Sequence, residues 1–234
     1  MTIPKIIVQT FKTSKLPLLF RWHISRLKKK NPNYRYEFYD DHGVDEFILK
    51  ELGKDVFDLY KCINIGAAKA DFFRYAVLYK KGGVYLDVDS RILHPIDSFV
   101  SPESSAVIAP ETQEEHFFIQ YGLFFEAGHP FLKKTLEMII DNLLHNRYPY
   151  DTHKMTGPTV YSQAIRACLA EDPSIAHEVL GVNYDEKLEF SFFMSKTFLY
   201  KLSRKNFHWK KISSTVPVID TEKMKKCKSD ILLN

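Results

Sequence analysis

The chain has no run of about 18 uncharged apolar residues, so no membrane-spanning helix is expected from it. Cysteine is scarce: Cys62, Cys168 and Cys227 lie far apart and match no metal-ligand spacing, which suggests free thiols in a reducing compartment. Met1 leads almost at once into IPKIIVQTF, without a charged n-region, apolar core or cleavage site, and a cytoplasmic protein is expected. Internal repeats, low-complexity tracts and linker-like stretches are missing too. So is a strong charge imbalance, since 33 Lys and Arg against 29 Asp and Glu leave a formal +4. That value suits an anionic ligand or surface, but falls short of the positive balance and motif of a nucleic-acid-binding module.

What is present is globular. The 234 residues, 45% hydrophobic, suffice for one sizeable α/β domain. Residues 3–10 read as a buried strand rich in β-branched side chains, with Pro4 near its start. PLLFRWHISRLKKKNP follows as a helix with Leu18, Leu19, Trp22 and Leu27 on its apolar face, closed by Pro32. YRYEFYD alternates aromatic and polar residues as a second strand. Strand, helix, strand predicts a βαβ start and a largely parallel sheet. Asn64 is the expected N-cap of a helix over 65–80, with Ala68, Phe72, Tyr75 and Tyr79 as its buried stripe. Lys80 and Lys81 suit the negative end of that helix, and Gly82 or Gly83 its left-handed cap. A strand over 84–87 then brings its carboxylates to a C-terminal strand end, where open α/β sheets bind ligands. A strand near 106–109, helices over about 130–145 and 159–169, and a basic tail from Lys201 complete the reading.

The stretch KKGGVYLDVDSR carries the chemistry. Along an extended strand alternate side chains share a face, so Asp87 and Asp89 would point together with Val88 turned away. Carboxylates that close repel each other unless a cation sits between them. Such oxygen ligands suit Mg²⁺ or Mn²⁺, whose open positions phosphate oxygens fill, and the pair predicts a site for a metal-bound diphosphate. In isolation an Asp-x-Asp triplet is more often a solvated loop; its place at the end of an apolar strand is what changes the reading. Asp71 and Arg74, three apart, share one helical face behind the small residues Ala67, Ala68 and Ala70. They form either a local ion pair or a carboxylate and guanidinium that accept from and donate to a sugar's hydroxyls.

AAKADFFRYAVLYKKGGVYLDVDS resembles the DXD-containing sugar-binding region of glycosyltransferase family 32, the Och1-related sugar transferases. IPKIIVQTF is similar to that family's opening strand, and GHPF at 128–131 and TGP at 156–158 to further blocks, over about residues 3–210. The resemblance implies a GT-A fold: α/β, with a Rossmann-like, mostly parallel sheet and helical additions. It implies a single domain over 1–234, with 1–110 as the nucleotide-sugar-binding half ending in the DXD strand and 111–234 as the acceptor-side half with a closing basic tail. Asp89 becomes the main metal ligand, while Asp87 touches the ribose or donor sugar and approaches the metal. Asp71 and Arg74 hold donor-sugar hydroxyls and, with Asp87, form the catalytic set. Val8, Gln9 and Thr10 line the base pocket, and Tyr85, Gly157 and Trp209 complete the donor site. Transfer with retention at the anomeric carbon needs no dedicated general base, and Mn²⁺ or Mg²⁺ stabilises the leaving diphosphate.

The chain departs from the family pattern in places. Val8 and Phe11 stand where a His and a Trp are usual, and Ser203 where a late His is usual. His208, beside Trp209, is expected to take that histidine's place as a third metal ligand; a surface histidine is the equal alternative. The TGP segment reads as a turn before a helix, or as a free helix N-terminus for phosphate or a sugar hydroxyl. RYPYDTHK, residues 147–154, reads as a turn or an acceptor-side loop. The functional expectation is metal-dependent transfer of a hexosyl group from a nucleotide-diphosphate sugar to a glycan or lipid-linked saccharide. A UDP-sugar is preferred over GDP-mannose because a small pocket behind Val8 suits a pyrimidine. Lys201, Arg204, Lys205, Lys210 and Lys211 form a solvated face or a peripheral contact with the inner face of a membrane. A metal-dependent phosphodiesterase or nucleotidyltransferase would need more acids around two metals. A basic nucleic-acid-binding module is the remaining alternative.

Overall fold

The IIVQT run forms strand β1 (Ile6–Thr10), with Ile7, Val8 and Gln9 buried at its centre. A strand covered on both faces has no need to alternate polar and apolar residues, which is why this run is continuous. Helix α1 (Leu18–Lys30) returns the chain, and β2 (Arg35–Tyr39) pairs in parallel with β1, Ile6 opposite Arg35. The expected βαβ start is present. The computed structural model describes residues 2–113, 117–190 and 215–232. Ser203, His208, Trp209 and the basic positions from Lys201 to Lys211 lie outside them.

The apolar face of α1 differs from its expectation. Ile24 and Leu27 are buried, whereas Leu18 is 79% and Trp22 49% exposed. Leu18 and Trp22, four apart, share the face opposite the buried pair, so only the Ile24–Leu27 side reaches the sheet. Two further helices had no counterpart in the sequence reading: α2 (Asp41–Leu52), capped by the Asp40 carboxylate accepting from the Gly43 N–H at 3.0 Å, and α3 (Lys54–Lys61). Helix α4 (Gly66–Lys81) follows, with Ile65 rather than Asn64 at its N-cap. The Asn64 amide instead donates to the Pro217 carbonyl at 3.2 Å. All of residues 71–78 are buried, because α4 packs between the sheet and helices α2 and α5 (Pro130–Leu144). That buries the expected stripe except Tyr79, which is half-buried, and it buries Asp71 and Arg74 as well.

Gly82 ends α4 at φ +65°, and Gly83 opens strand β3 (Gly83–Leu86) at φ +104°. A Cβ on Gly83 would lie 2.7 Å from the Ile6 carbonyl oxygen, and one on Gly82 2.7 Å from the Ala127 nitrogen. Both the backbone angle and the space therefore demand glycine here. Strand β3 thereby lies directly against β1.

The remaining strands are β4 (Arg91–Ile92), β5 (Ala106–Ile108), β6 (Gly122–Phe125), β7 (Glu178–Val179) and β8 (Leu188–Glu189). The main sheet runs β2-β1-β3-β6-β5-β7, and β4 pairs with β8 separately. β1 is parallel to β2 and β3, β6 is antiparallel to both β3 and β5, and β7 is parallel to β5. In the main sheet only β6 thus runs backwards, and the mostly parallel sheet is as expected. Alternating side chains divide the core: Val8, Tyr85, Leu123 and Phe125 face α4 and α5, while Ile7, Val84, Leu86 and Phe124 face α1. Short α6 (Thr152–Met155) and α7 (Pro158–Glu171) lie near α4 and α5, and α8 (Thr221–Leu232) lies near α3. Between β7 and β8, Asn183, Tyr184 and Asp185 form a left-handed turn with φ of 54°, 55° and 53°. Tyr184 is anchored in the core by donating to the Gly122 carbonyl at 2.8 Å. Cys62 and Cys168 are buried, and the Cys62 thiol donates to the Asp58 carbonyl at 3.3 Å. Among the described residues no helix is long and apolar enough to cross a membrane.

Candidate active site

Strand β3 stops at Leu86, one residue before the acidic triplet. Asp87, Val88 and Asp89 enter a turn closed by the Ser90 N–H donating to the Asp87 carbonyl at 2.9 Å. Strand alternation therefore does not set the two carboxylates, which corrects the sequence expectation. Tertiary contacts set the turn instead. The Asp87 N–H and the Ser90 hydroxyl both donate to the Tyr121 carbonyl, at 3.0 and 2.9 Å. The buried Gln9 amide donates to the Asp87 carbonyl at 3.2 Å and is itself held by the Tyr36 hydroxyl at 3.0 Å. A His23 ring nitrogen contacts the Ser90 carbonyl at 2.7 Å, tying α1 to the same turn.

Asp87 and Asp89 both open onto a cavity of about 340 Å³, whose lining also includes Asp71, Arg74, Glu111 and Gln120. Arg74 is its hub. One guanidinium nitrogen donates to the Gln120 carbonyl at 2.9 Å; the other lies 3.1 Å from the Asp87 carboxylate and 3.4 Å from that of Asp71. The Tyr85 hydroxyl donates to the same Asp87 oxygen at 3.0 Å, and its ring lies under the Arg74 guanidinium, 5.1 Å away. Asp71 accepts from the Thr156 hydroxyl at 3.0 Å. The "small residues, Asp, Arg, then acidic turn" pattern is thus one connected network.

Electrostatics make this network want a cation. Burial pushes Asp87 up to about 6; Arg74 opposes that shift, and neighbouring Asp89 adds to it. Burial likewise raises Asp71, against the pull of Arg74 and the Thr156 hydrogen bond. Burial works against the charge of Arg74, but Asp87, Tyr85 and Asp71 outweigh it and hold the guanidinium protonated. Four carboxylates and a single guanidinium line the cavity. Among the described residues no cluster of three or more His, Cys, Asp or Glu could hold a metal ion by itself. A pair of carboxylates suits a hard divalent ion whose other positions are filled by a bound molecule, the habit of Mg²⁺ at phosphates, and Asp87 and Asp89 are the residues that could hold one.

The other sequence candidates fall in different places. Val8 is fully buried in the core. The Thr10 hydroxyl donates to the Tyr39 carbonyl at 2.9 Å. Neither Val8, Gln9, Thr10 nor Tyr85 lines the cavity; Gln9 and Tyr85 act on the acidic turn from behind. Gly157 does line it, at the N-cap of α7, where a Cβ would come within 3.0 Å of the His153 Cα. Its N–H is spent on the Thr152 carbonyl at 3.0 Å, so the TGP segment is first of all a tight turn. Gln120, Tyr121 and Phe190 line the site without local sequence signal, because only the pairing of β3 with β6 brings 120–121 to it. His153 also lines it, from the segment 147–154 already singled out.

Comparison with known proteins agrees with this geometry. Residues 19–106 match the family model described as a glycosyltransferase sugar-binding region containing a DXD motif. The chain is 28% identical over 181 residues to an initiation-specific alpha-1,6-mannosyltransferase of Candida albicans, covering 66% of this chain and 47% of that protein. It is 30% identical over 167 residues to inositol phosphoceramide mannosyltransferase 3 of Schizosaccharomyces pombe, covering 68% and 44%. The chain thus spans just under half the length of these relatives. Among solved structures, the PaToxG glycosyltransferase aligns with a TM-score of 0.59 at 22% identity, covering 74% of this chain and 70% of that one. The UDP-bound glycosyltransferase domain of the YGT toxin aligns at 0.56 and 10% identity, covering 81% and 83%. This chain belongs to the DXD-containing glycosyltransferases of family 32 and has their GT-A fold.

Proposed function

We propose that this chain moves a hexosyl group from a nucleotide-diphosphate sugar to a hydroxyl of a glycan or lipid-linked saccharide, with Mn²⁺ or Mg²⁺ as cofactor. The observation that carries the reading is the opening of Asp87, Asp89, Asp71 and Arg74 into one cavity at the end of β3. Asp89 and Asp87 would hold the cation, which supplies positive charge to the leaving diphosphate. Asp71 lies across the guanidinium from Asp87 and offers a carboxylate to the donor sugar's hydroxyls. Arg74 opposes the effect of burial on both carboxylates and aims them, and Tyr85 and Gln9 fix the turn so that little reorganisation is needed on binding. His208, which lies outside the described residues, remains the sequence-based choice for a third ligand. Both relatives are named mannosyltransferases, which makes a mannosyl donor the first to try, with UDP-sugars beside it.

The test is a panel of GDP- and UDP-sugars with Mn²⁺, read by nucleoside diphosphate release with and without excess EDTA. Release from at least one sugar donor that EDTA abolishes is expected. Full turnover in EDTA would remove the metal from the reading. Release of nucleoside monophosphate regardless of the sugar would replace the transferase with a phosphodiesterase.

Metal binding should also depend on pH. The Asp87 carboxyl of the cation-free protein sits at about 6, so below that value a proton competes with the metal. Because this folded-state value is raised, its contribution to stability is present at acid pH and lost as pH rises through about 6. A bound cation offsets that loss. The increase in Tm caused by Mn²⁺ should therefore be larger at about pH 7.5 than at about pH 5. The apparent Mn²⁺ affinity should fall about tenfold per pH unit below the transition. Calorimetric titration across this range checks it, and a flat profile would mean Asp87 does not bind the ion.

A further inference from the structure

Charge in this chain is segregated far more than the total suggests. Nine of its 33 Lys and Arg, and none of its 29 Asp and Glu, precede Glu37. Lys5 pairs with Asp97 and Arg35 with Glu37, both at 2.8 Å, and Lys30 donates to the Ile92 carbonyl at 3.1 Å. Lys12, Lys15, Arg21, Arg26, Lys28 and Lys29 are exposed and make no ion pair with an acid among the described residues. Four of these six are on α1.

Their arrangement on α1 is specific. Leu18, Trp22, Ser25 and Lys29 follow one another at spacings of three and four along the outward face, opposite the buried Ile24 and Leu27. Arg21 and Lys28 flank this ridge on one side and Arg26 on the other, its guanidinium 4.8 Å from the Trp22 ring. Beside the ridge lies a cleft of about 110 Å³ lined by Trp22, His23, Arg26, Lys30 and Arg91 among others. Burial, and repulsion from Arg26 and Arg91, lower the pKa of Lys30, as expected where positive charge accumulates. Two exposed apolar side chains, one of them a tryptophan, surrounded by cations on an outward helix face are the pattern of a helix lying in the headgroup layer of an anionic bilayer.

We infer that the outward face of α1 docks this protein on an anionic phospholipid surface, with Leu18 and Trp22 entering the headgroup layer and the flanking lysines and arginines paired with lipid phosphates. A nucleic-acid backbone would satisfy the cations but gives Leu18, the most exposed large apolar side chain among the described residues, nothing to bury against. Through the His23–Ser90 contact α1 abuts the acidic turn, so docking would hold the cavity close to the lipid surface. That last consequence rests on the proposed transfer to a lipid-linked acceptor; the docking itself does not.

Sedimentation of the full chain with vesicles tests it, read as binding alone. The protein should pellet with mixed phosphatidylcholine–phosphatidylglycerol vesicles and not with pure phosphatidylcholine. Lys28→Gln with Lys29→Gln should weaken partitioning about fivefold per lysine, roughly 25-fold for the pair. Leu18→Ser with Trp22→Ser, which leaves the charge intact, should weaken it as well. Lys133→Gln with Lys134→Gln on α5 should bind as the wild type does. All these sites are at the surface, so unchanged melting temperatures confirm folding. Equal binding to neutral vesicles, or retention that survives both α1 pairs, overturns the inference. Tighter binding of single-stranded RNA than of the mixed vesicles would assign the face to nucleic acid instead.

Discussion

Asp89→Asn is expected to lower kcat/KM by about 100-fold or more while leaving the melting temperature close to that of the wild type. Asp89 lies in the turn beyond β3, half-exposed at the cavity, whereas the turn itself is held by backbone and side-chain bonds from Ser90, Gln9 and Tyr121. Loss of one carboxylate charge there removes the proposed metal ligand without opening the core. The loss should be partly recovered at high Mn²⁺, since an amide oxygen still ligates, though more weakly. Turnover measured against Mn²⁺ concentration decides the matter. If Asp89→Asn retains wild-type turnover at every Mn²⁺ level, Asp89 is not a ligand and the cation site must lie elsewhere.

Arg74→Ala and Asp71→Asn should separate two roles that share one network. Removing Arg74 leaves Asp71 and Asp87 facing each other, Asp71 almost fully buried and Asp87 with 23% of its side chain exposed. Breaking such a buried pair costs about 3–5 kcal/mol, which for a chain of this size is a fall in Tm of roughly 6–20 °C. Transfer is lost with it, but the stability effect makes that loss ambiguous. Asp71→Asn is the cleaner probe, because an amide can keep the Thr156 hydrogen bond and no buried charge is stranded. It should lose most transfer while binding GDP or UDP with Mn²⁺ nearly as the wild type does. A calorimetric titration showing much weaker nucleotide binding by Asp71→Asn would move Asp71 from the sugar to the nucleotide or the fold.

Local chemistry was enough to read several elements directly. The β-branched opening run, the alternating YRYEFYD strand, the apolar α5 and the Gly82–Gly83 reversal all follow from side-chain shape and backbone freedom within a few residues. Asp71, Arg74, Asp87 and Asp89 were brought together by the family resemblance rather than by local spacing, and the fold lines one cavity with all four. Distance across the chain decided the rest. The burial of Arg74 between two carboxylates depends on α4 being covered on several sides, which no stripe within its own sequence shows. The acidic turn is aimed by Gln9, Tyr121 and His23, residues that become its neighbours only when β1, the segment before β6 and α1 converge there. The outward turn of Leu18 and Trp22 is of the same kind. Their sequence marks them as apolar, but the sheet has room for only one side of α1, and Ile24 and Leu27 occupy it.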